Sequence, residues 1–136
     1  YDPRVDTATR GIVRDELALN VDLSPTILEL AGVEVPQMVQ GNSLAPLIYG
    51  EHPAWRQDFF CEHLFTTPNI VIPRSEGVRT HRWKYIRYFD QEPVWEELYD
   101  LQKDPEEARN LRDEPACAQE LARLRMRCDE LLQQVT

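Results

Sequence analysis

The spacing of apolar and polar residues changes near the middle of the chain. In the first half the pattern is helical and short. Within "VDLSPTILELAGVEVP" (21–36), Asp22 or Ser24 can cap a helix, Pro25 suits the first turn, and "TILELA" supplies apolar positions. Gly32 fits the C-terminal stop and Pro36 lies beyond it, which predicts a helix of about two to three turns. "GNSLAPLIYG" (41–50) predicts a second short apolar turn closed by Gly50. Residues 1–20 have no clear period and read as an extended or partly ordered lead-in.

After "EHPAWR" the period becomes two. In "DFFCEHLF" (58–65), Phe59, Cys61, His63 and Phe65 fall on one face of a strand, and Phe60, Glu62 and Leu64 on the other. "SEGVRT" and "WKYIRYF" are rich in strand formers and flank His81-Arg82, which predicts a hairpin with a tight turn. "WEELYDL" (95–101) predicts a fourth strand. The aromatics of "WKYIRYF" read as strand core, with a carbohydrate-stacking platform as the alternative. "TTPNIVIPR" (66–74) is too long for a hairpin loop and too apolar for a plain linker, a combination that often carries function. At the end of the chain Cys117, Leu121, Leu124, Cys128, Leu131 and Val135 form one apolar stripe at helical spacing. The stripe covers fewer than three heptads, so a helix laid across a small sheet is favoured over the alternative of a coiled coil.

Composition narrows the field by exclusion. The 136 residues include 15 basic and 24 acidic side chains, a net charge of −9. That balance argues against nucleic acid or an anionic membrane as partner, since both need clustered positive charge. No apolar run approaches the roughly 20 residues of a membrane span. The chain opens with Tyr1 instead of Met, so it is expected to be processed or to be a piece of something longer. Its three cysteines include no CxxC pair, which removes zinc-ribbon and thioredoxin-type readings. Cys117 and Cys128 lie about 16 Å apart along one helix, too far for a disulfide. Either can in principle meet Cys61, and the simpler expectation is three small buried hydrophobes.

The acid is concentrated: residues 96–115 hold eight carboxylates against three basic residues. An EF-hand requires acids alternating from its first position, a central glycine and a closing glutamate. Counted from Asp100, the matching residues are Asp100, Gln102, Asp104, Pro105 and Leu111, so a calcium loop is excluded. Asp104-Pro105 followed by Glu106-Glu107 instead predicts a capped helical turn, a joint between the last strand and the last helix.

Taken in order and spacing, "NVDLSPTILELAGVEVP", "QGNSLAPLIYG", "WRQDFFCEH", "EGVRTHRWKYIRY" and "ELYDLQKDPEEARNL" resemble the C-terminal third of the sulfatases, of the alkaline phosphatase superfamily. The resemblance runs from about residue 17 to the end and rests on the series "GVRT…KYI…ELYDL…DP.E..NL". It implies an α+β fold in which residues 55–136 form a four-stranded antiparallel sheet packed by the final helix. Residues 1–54 would then be the tail of an α/β catalytic domain. It also implies a parent enzyme that hydrolyses sulfate esters through a formylglycine, made from a C/S-x-P-x-R motif, with a calcium ion held by Asp and Asn. No cysteine or serine of this chain leads such a motif, so the formylglycine, the calcium and every catalytic residue are expected outside it. The isolated chain is expected to be inactive.

By the same resemblance, the chain's partners are the N-terminal catalytic domain and a sulfated sugar or aryl sulfate, and the compartment is periplasmic or extracellular. His63, Arg74 and Arg79 are the candidates for contact with substrate, since His and Arg suit an anionic sulfated sugar. Against this stand an ordinary strand-face histidine and ordinary surface ion pairs. Two alternatives remain open: a stand-alone carbohydrate- or protein-binding module, and the tail of a related phosphoester or phosphonate-ester hydrolase.

Overall fold

The computed structural model describes residues 3–7, 10–67 and 72–135. The chain divides into two compact units, Tyr1–Arg56 and Gln57–Thr136.

In the first unit a 3-10 turn, Asn20–Asp22, leads directly into helix α1, Leu23–Leu30, and a one-turn helix α2, Ala45–Ile48, follows. Gly32 adopts φ 70° just past the end of α1, the left-handed conformation that lets the chain leave the helix. The predicted cap takes another form. Neither Asp22 nor Ser24 caps α1 with its side chain; Asp22 is instead fully buried. Its carboxylate accepts the amides of Leu19 (2.7 Å) and Asn42 (2.8 Å) and two hydrogen bonds from Arg56, at 2.5 and 2.6 Å. Thr26 Oγ1 donates to the Asp22 carbonyl at 2.5 Å and accepts the Leu44 amide at 2.8 Å. A cap satisfies only its own helix, whereas these bonds tie the segments around Leu19, Asn42 and Arg56 to one buried carboxylate.

The second unit is a meander of four antiparallel strands in the order β1-β2-β3-β4. They are β1 Asp58–His63, β2 Ser75–Thr80, β3 Trp83–Tyr88 and β4 Trp95–Asp100, followed by helix α3, Ala118–Val135. β1 stops at His63, two residues short of its predicted end, and Leu64 and Phe65 are exposed. The register places Phe60 opposite Val78, Val78 opposite Tyr85 and Tyr85 opposite Leu98. This single row across all four strands meets Leu121, Leu124 and Cys128 of α3 to form the core. Burying each of these large side chains stabilises by about 2 kcal/mol. Val135, predicted to end the stripe, is exposed, because the helix has by then run past the packed row.

Arginines tie the helix to the sheet beneath it. Arg127 pairs with Asp58 of β1 at 2.7 Å, Arg87 of β3 with Asp129 at 2.7 Å, and Arg125 with Glu96 of β4. Glu96 also accepts the Tyr85 hydroxyl at 2.6 Å, satisfying the one polar atom of a buried ring. Gly77 of β2 lies close against β3: a Cβ there would lie 2.3 Å from the Tyr85 carbonyl oxygen.

The cysteines only partly match their expectation. All three are free thiols; Cys128 is buried, Cys117 intermediate and Cys61 exposed. Cys61 lies on the strand face that α3 does not cover, which is why it is not a core residue.

Candidate functional site

The acidic joint between β4 and α3 is built as follows. Asp100 is almost fully buried and accepts two hydrogen bonds from Arg82, at 2.9 and 2.7 Å. Arg82 holds the Asp100 carboxyl below the ordinary carboxylate range, against the smaller opposing effect of burial. Asp104 accepts the amides of Ala108 (3.1 Å) and Arg109 (2.9 Å), and Glu107 pairs with Lys84 at 2.5 Å. The predicted helical turn does not form. Residues 104–110 run as turns and irregular chain, and Glu107 takes φ 54°. The Asp104 carboxylate therefore closes a loop. Asn110 completes the joint by accepting the Leu98 amide and donating to the Glu96 carbonyl, both at 3.0 Å, along the free edge of β4. With these carboxylates engaged by Arg82, Lys84 and backbone amides, the segment does not fit a calcium ion. Among the described residues no group of three or more His, Cys, Asp and Glu is placed to hold a metal.

The three candidate substrate residues lie at different places. His63 and Arg79 share the sheet face away from α3. However, His63 pairs with Ser75 and Phe59 with Arg79, so the two are four residues apart along β1–β2, about 13 Å. With side chains standing roughly perpendicular to the sheet, the two address different points along it. His63 is half-buried, and its Nε2 is shielded from solvent with no hydrogen-bond partner among the described residues. Arg79 is exposed and has no carboxylate within ion-pair distance among the described residues. Arg74 is already engaged: Asp90 accepts from its Nε and Nη2 at 2.7 and 2.5 Å, and its guanidinium lies 5.2 Å from the centre of the Phe89 ring. Of the loop singled out between β1 and β2, residues 68–71 lie outside the described residues.

A further feature of this face was not anticipated. Trp95 and Tyr88 stand opposite each other across β3 and β4. The Glu97 carboxylate accepts from Trp95 Nε1 at 3.2 Å and from the Tyr88 hydroxyl at 3.4 Å. Burial, followed by the charge of Glu97, pushes the neighbouring Tyr99 phenol up to about 12, so it is protonated at neutral pH. The alternation in "WEELY" already puts Trp95, Glu97 and Tyr99 on one face. It does not tell that Tyr88 would join them, because that depends on the register across the turn.

A four-stranded antiparallel meander packed on one side by a C-terminal helix, after a short-helix segment, is the architecture of the C-terminal part of sulfatases in the alkaline phosphatase superfamily. Comparison gives the particular family: residues 5–134 match the model for "N-sulphoglucosamine sulphohydrolase, C-terminal", and the chain belongs to that family. It is 36% identical over 104 residues to an N-acetylglucosamine-6-O-sulfatase of Bacteroides thetaiotaomicron, a match spanning 74% of this chain and 18% of that protein. Among solved structures, a 2-O glycosaminoglycan sulfatase superposes with a TM-score of 0.81 at 32% identity, over 97% of this chain and 28% of the other. A sulfatase solved with its substrate D-glucosamine-2-N,6-O-disulfate gives a TM-score of 0.77 at 32% identity, over 86% and 24%. The chain thus spans roughly a fifth to a quarter of the length of the proteins it matches.

Proposed function

We propose that this chain is the C-terminal part of an enzyme that hydrolyses sulfate esters of sugars, where it serves as scaffold and as one wall of the substrate pocket. The observation that carries the reading is the match over residues 5–134 to a sulfatase C-terminal family. The N-acetylglucosamine-6-O-sulfatase and the sulfatase solved with a disulfated glucosamine, both similar to this chain, support a saccharide substrate. In this reading residues 1–54 finish the catalytic domain, residues 55–136 form the C-terminal subdomain, and the enzyme works in the periplasm or outside the cell. The calcium and the formylglycine belong to the part outside this chain, where the calcium would act as a Lewis acid toward the sulfate.

Within this chain His63 is the residue best suited to contact the sugar. A half-buried imidazole whose Nε2 lacks a partner retains one unfilled hydrogen-bonding position, and filling it from a sugar hydroxyl or sulfate oxygen removes the penalty of leaving it unpaired. Arg79, exposed and without a carboxylate partner among the described residues, would meet a second anionic group about 13 Å away. Arg74 would first have to release Asp90, and it ranks behind both.

The test uses the full-length enzyme. His63→Ala is expected to lower kcat/KM on a sulfated oligosaccharide by about tenfold or more while changing turnover of a small aryl sulfate by less than about threefold. Equal losses on both would make His63 a structural residue. The 136-residue chain alone is expected to release no sulfate from an aryl sulfate with or without calcium, and turnover by it would overturn the division of labour.

A further inference from the structure

Tyr88, Gln91, Trp95, Glu97 and Pro73 line a shallow notch of about 340 Å³, wholly within the second unit. That volume lies at the small end of the roughly 300–1,000 Å³ typical of small-molecule sites. The notch combines three chemistries. Trp95 offers an aromatic plate with 47% of its surface exposed, unusual for a tryptophan. Glu97 is held in place by Trp95 Nε1 and the Tyr88 hydroxyl. A carboxylate can accept about four hydrogen bonds, so with Trp95, Tyr88 and the neighbouring Tyr99 phenol against it Glu97 keeps capacity for one donor from outside. Gln91, placed by a backbone bond from its amide to the Tyr88 carbonyl at 3.3 Å, brings a side-chain amide that both donates and accepts.

Charge then selects among ligands. The Arg112 guanidinium lies 5.3 Å from the centre of the Trp95 ring, so the ring already carries a cation and a second one is disfavoured by repulsion. The Glu97 carboxylate disfavours an anion. What remains is a neutral molecule with a flat apolar face and a rim of hydroxyl donors.

We propose that this notch is a saccharide-binding subsite for an unsulfated pyranose ring, which stacks on Trp95 and donates its hydroxyls to Glu97 and Gln91. The site needs no sulfate and no catalytic residue. It deepens the function proposed above by giving an unsulfated part of the substrate chain a place to rest, and it relies on that reading only for this biological role.

Nuclear magnetic resonance titration of the protein at its full natural length with tetra-N-acetylchitotetraose, an uncharged N-acetylglucosamine oligomer, tests the proposal. Saturable shifts of the Trp95 and Glu97 amides are expected, with a Kd in the millimolar range. Trp95→Ala should weaken the affinity by about tenfold or more and Trp95→Tyr by less than about threefold, with both variants melting near the parent. The 6-O-sulfated oligomer should bind this site more weakly than the unsulfated one. Absence of shifts, affinity unchanged in Trp95→Ala, or tighter binding of choline than of the oligomer would each overturn the assignment. Because no sulfate is cleaved in the measurement, loss of the sulfatase reading leaves this result standing, and the reverse holds as well.

Discussion

Asp22 has no exposed surface, yet it carries a charge that Arg56 and two backbone amides hold in place. Burial pushes its carboxyl pKa up, but the bonds from Arg56, Asn42 and Leu19 outweigh this and leave it below the ordinary carboxylate range. Removing one partner of such a pair leaves the other uncompensated, so Asp22→Ala should destabilise the protein by about 3 kcal/mol in urea unfolding. Loss of less than about 1 kcal/mol would mean that water replaces the carboxylate freely. Asp100 and Glu96 are lowered as well, each chiefly through its arginine. A carboxyl whose pKa is lower folded than unfolded stabilises fully above the ordinary range and loses that contribution as pH falls through its folded value. Stability should therefore hold across neutral pH and fall steeply below about pH 4 in a melting-temperature series. Cys128 has the opposite character: burial pushes its thiol up to about 11, so it should resist alkylation until the protein unfolds.

Among the elements, the β2–β3 hairpin is the most sharply specified. Thr80 Oγ1 accepts the amides of Arg82 (3.2 Å) and Trp83 (2.8 Å), which closes the turn at the predicted His81-Arg82. Gly77 then permits the close approach of β3. Gly77→Ala, with its Cβ aimed at the Tyr85 carbonyl, should cost about 1–3 kcal/mol through backbone displacement. Faster hydrogen exchange at the β2–β3 amides would accompany the loss, and unchanged exchange would show that the strands can separate without penalty. The strands, the hairpin and the final helix were legible in the sequence because their periods of two and 3.6 are local properties. The helical turn expected after Asp104 was not: Pro105 and the acids favour a helix start, but Asn110 draws the chain onto the edge of β4, and the tertiary bonds prevail over propensity.

For the molecule as a whole, the first unit has an unusual balance. Its buried residues include Asp22 and Thr26, while Val13 is 90% and Met38 87% exposed, and Leu23, Ile27 and Val33 are each more than half exposed. Apolar surface of that kind commonly marks an interface, and the relatives are about four times as long as this chain. The isolated 136-residue chain should accordingly bind a hydrophobic dye and associate as its concentration rises. A dye-silent monomer at every concentration in sedimentation would instead favour a self-sufficient binding module. The candidate site was the least legible part. His63 and Arg79 were recognisable as residue types suited to a sulfated sugar, but their separation along the sheet was not, and the Trp95 notch went unseen.

What the sequence by itself determined is the kind and order of the elements and, through the spaced segments ending in "ELYDLQKDPEEARNL", the family. Periodicity, capping residues and turn chemistry act between neighbours a few positions apart. The tertiary structure alone decided which carboxylates are buried, that Arg74 is held by Asp90, and that Tyr88, Trp95 and Glu97 meet. Those outcomes rest on strand register and on ion pairs between residues far apart in the chain, such as Arg127 with Asp58. A shift of one residue in register turns every side chain of a strand to the opposite face, and only the packed core fixes that choice.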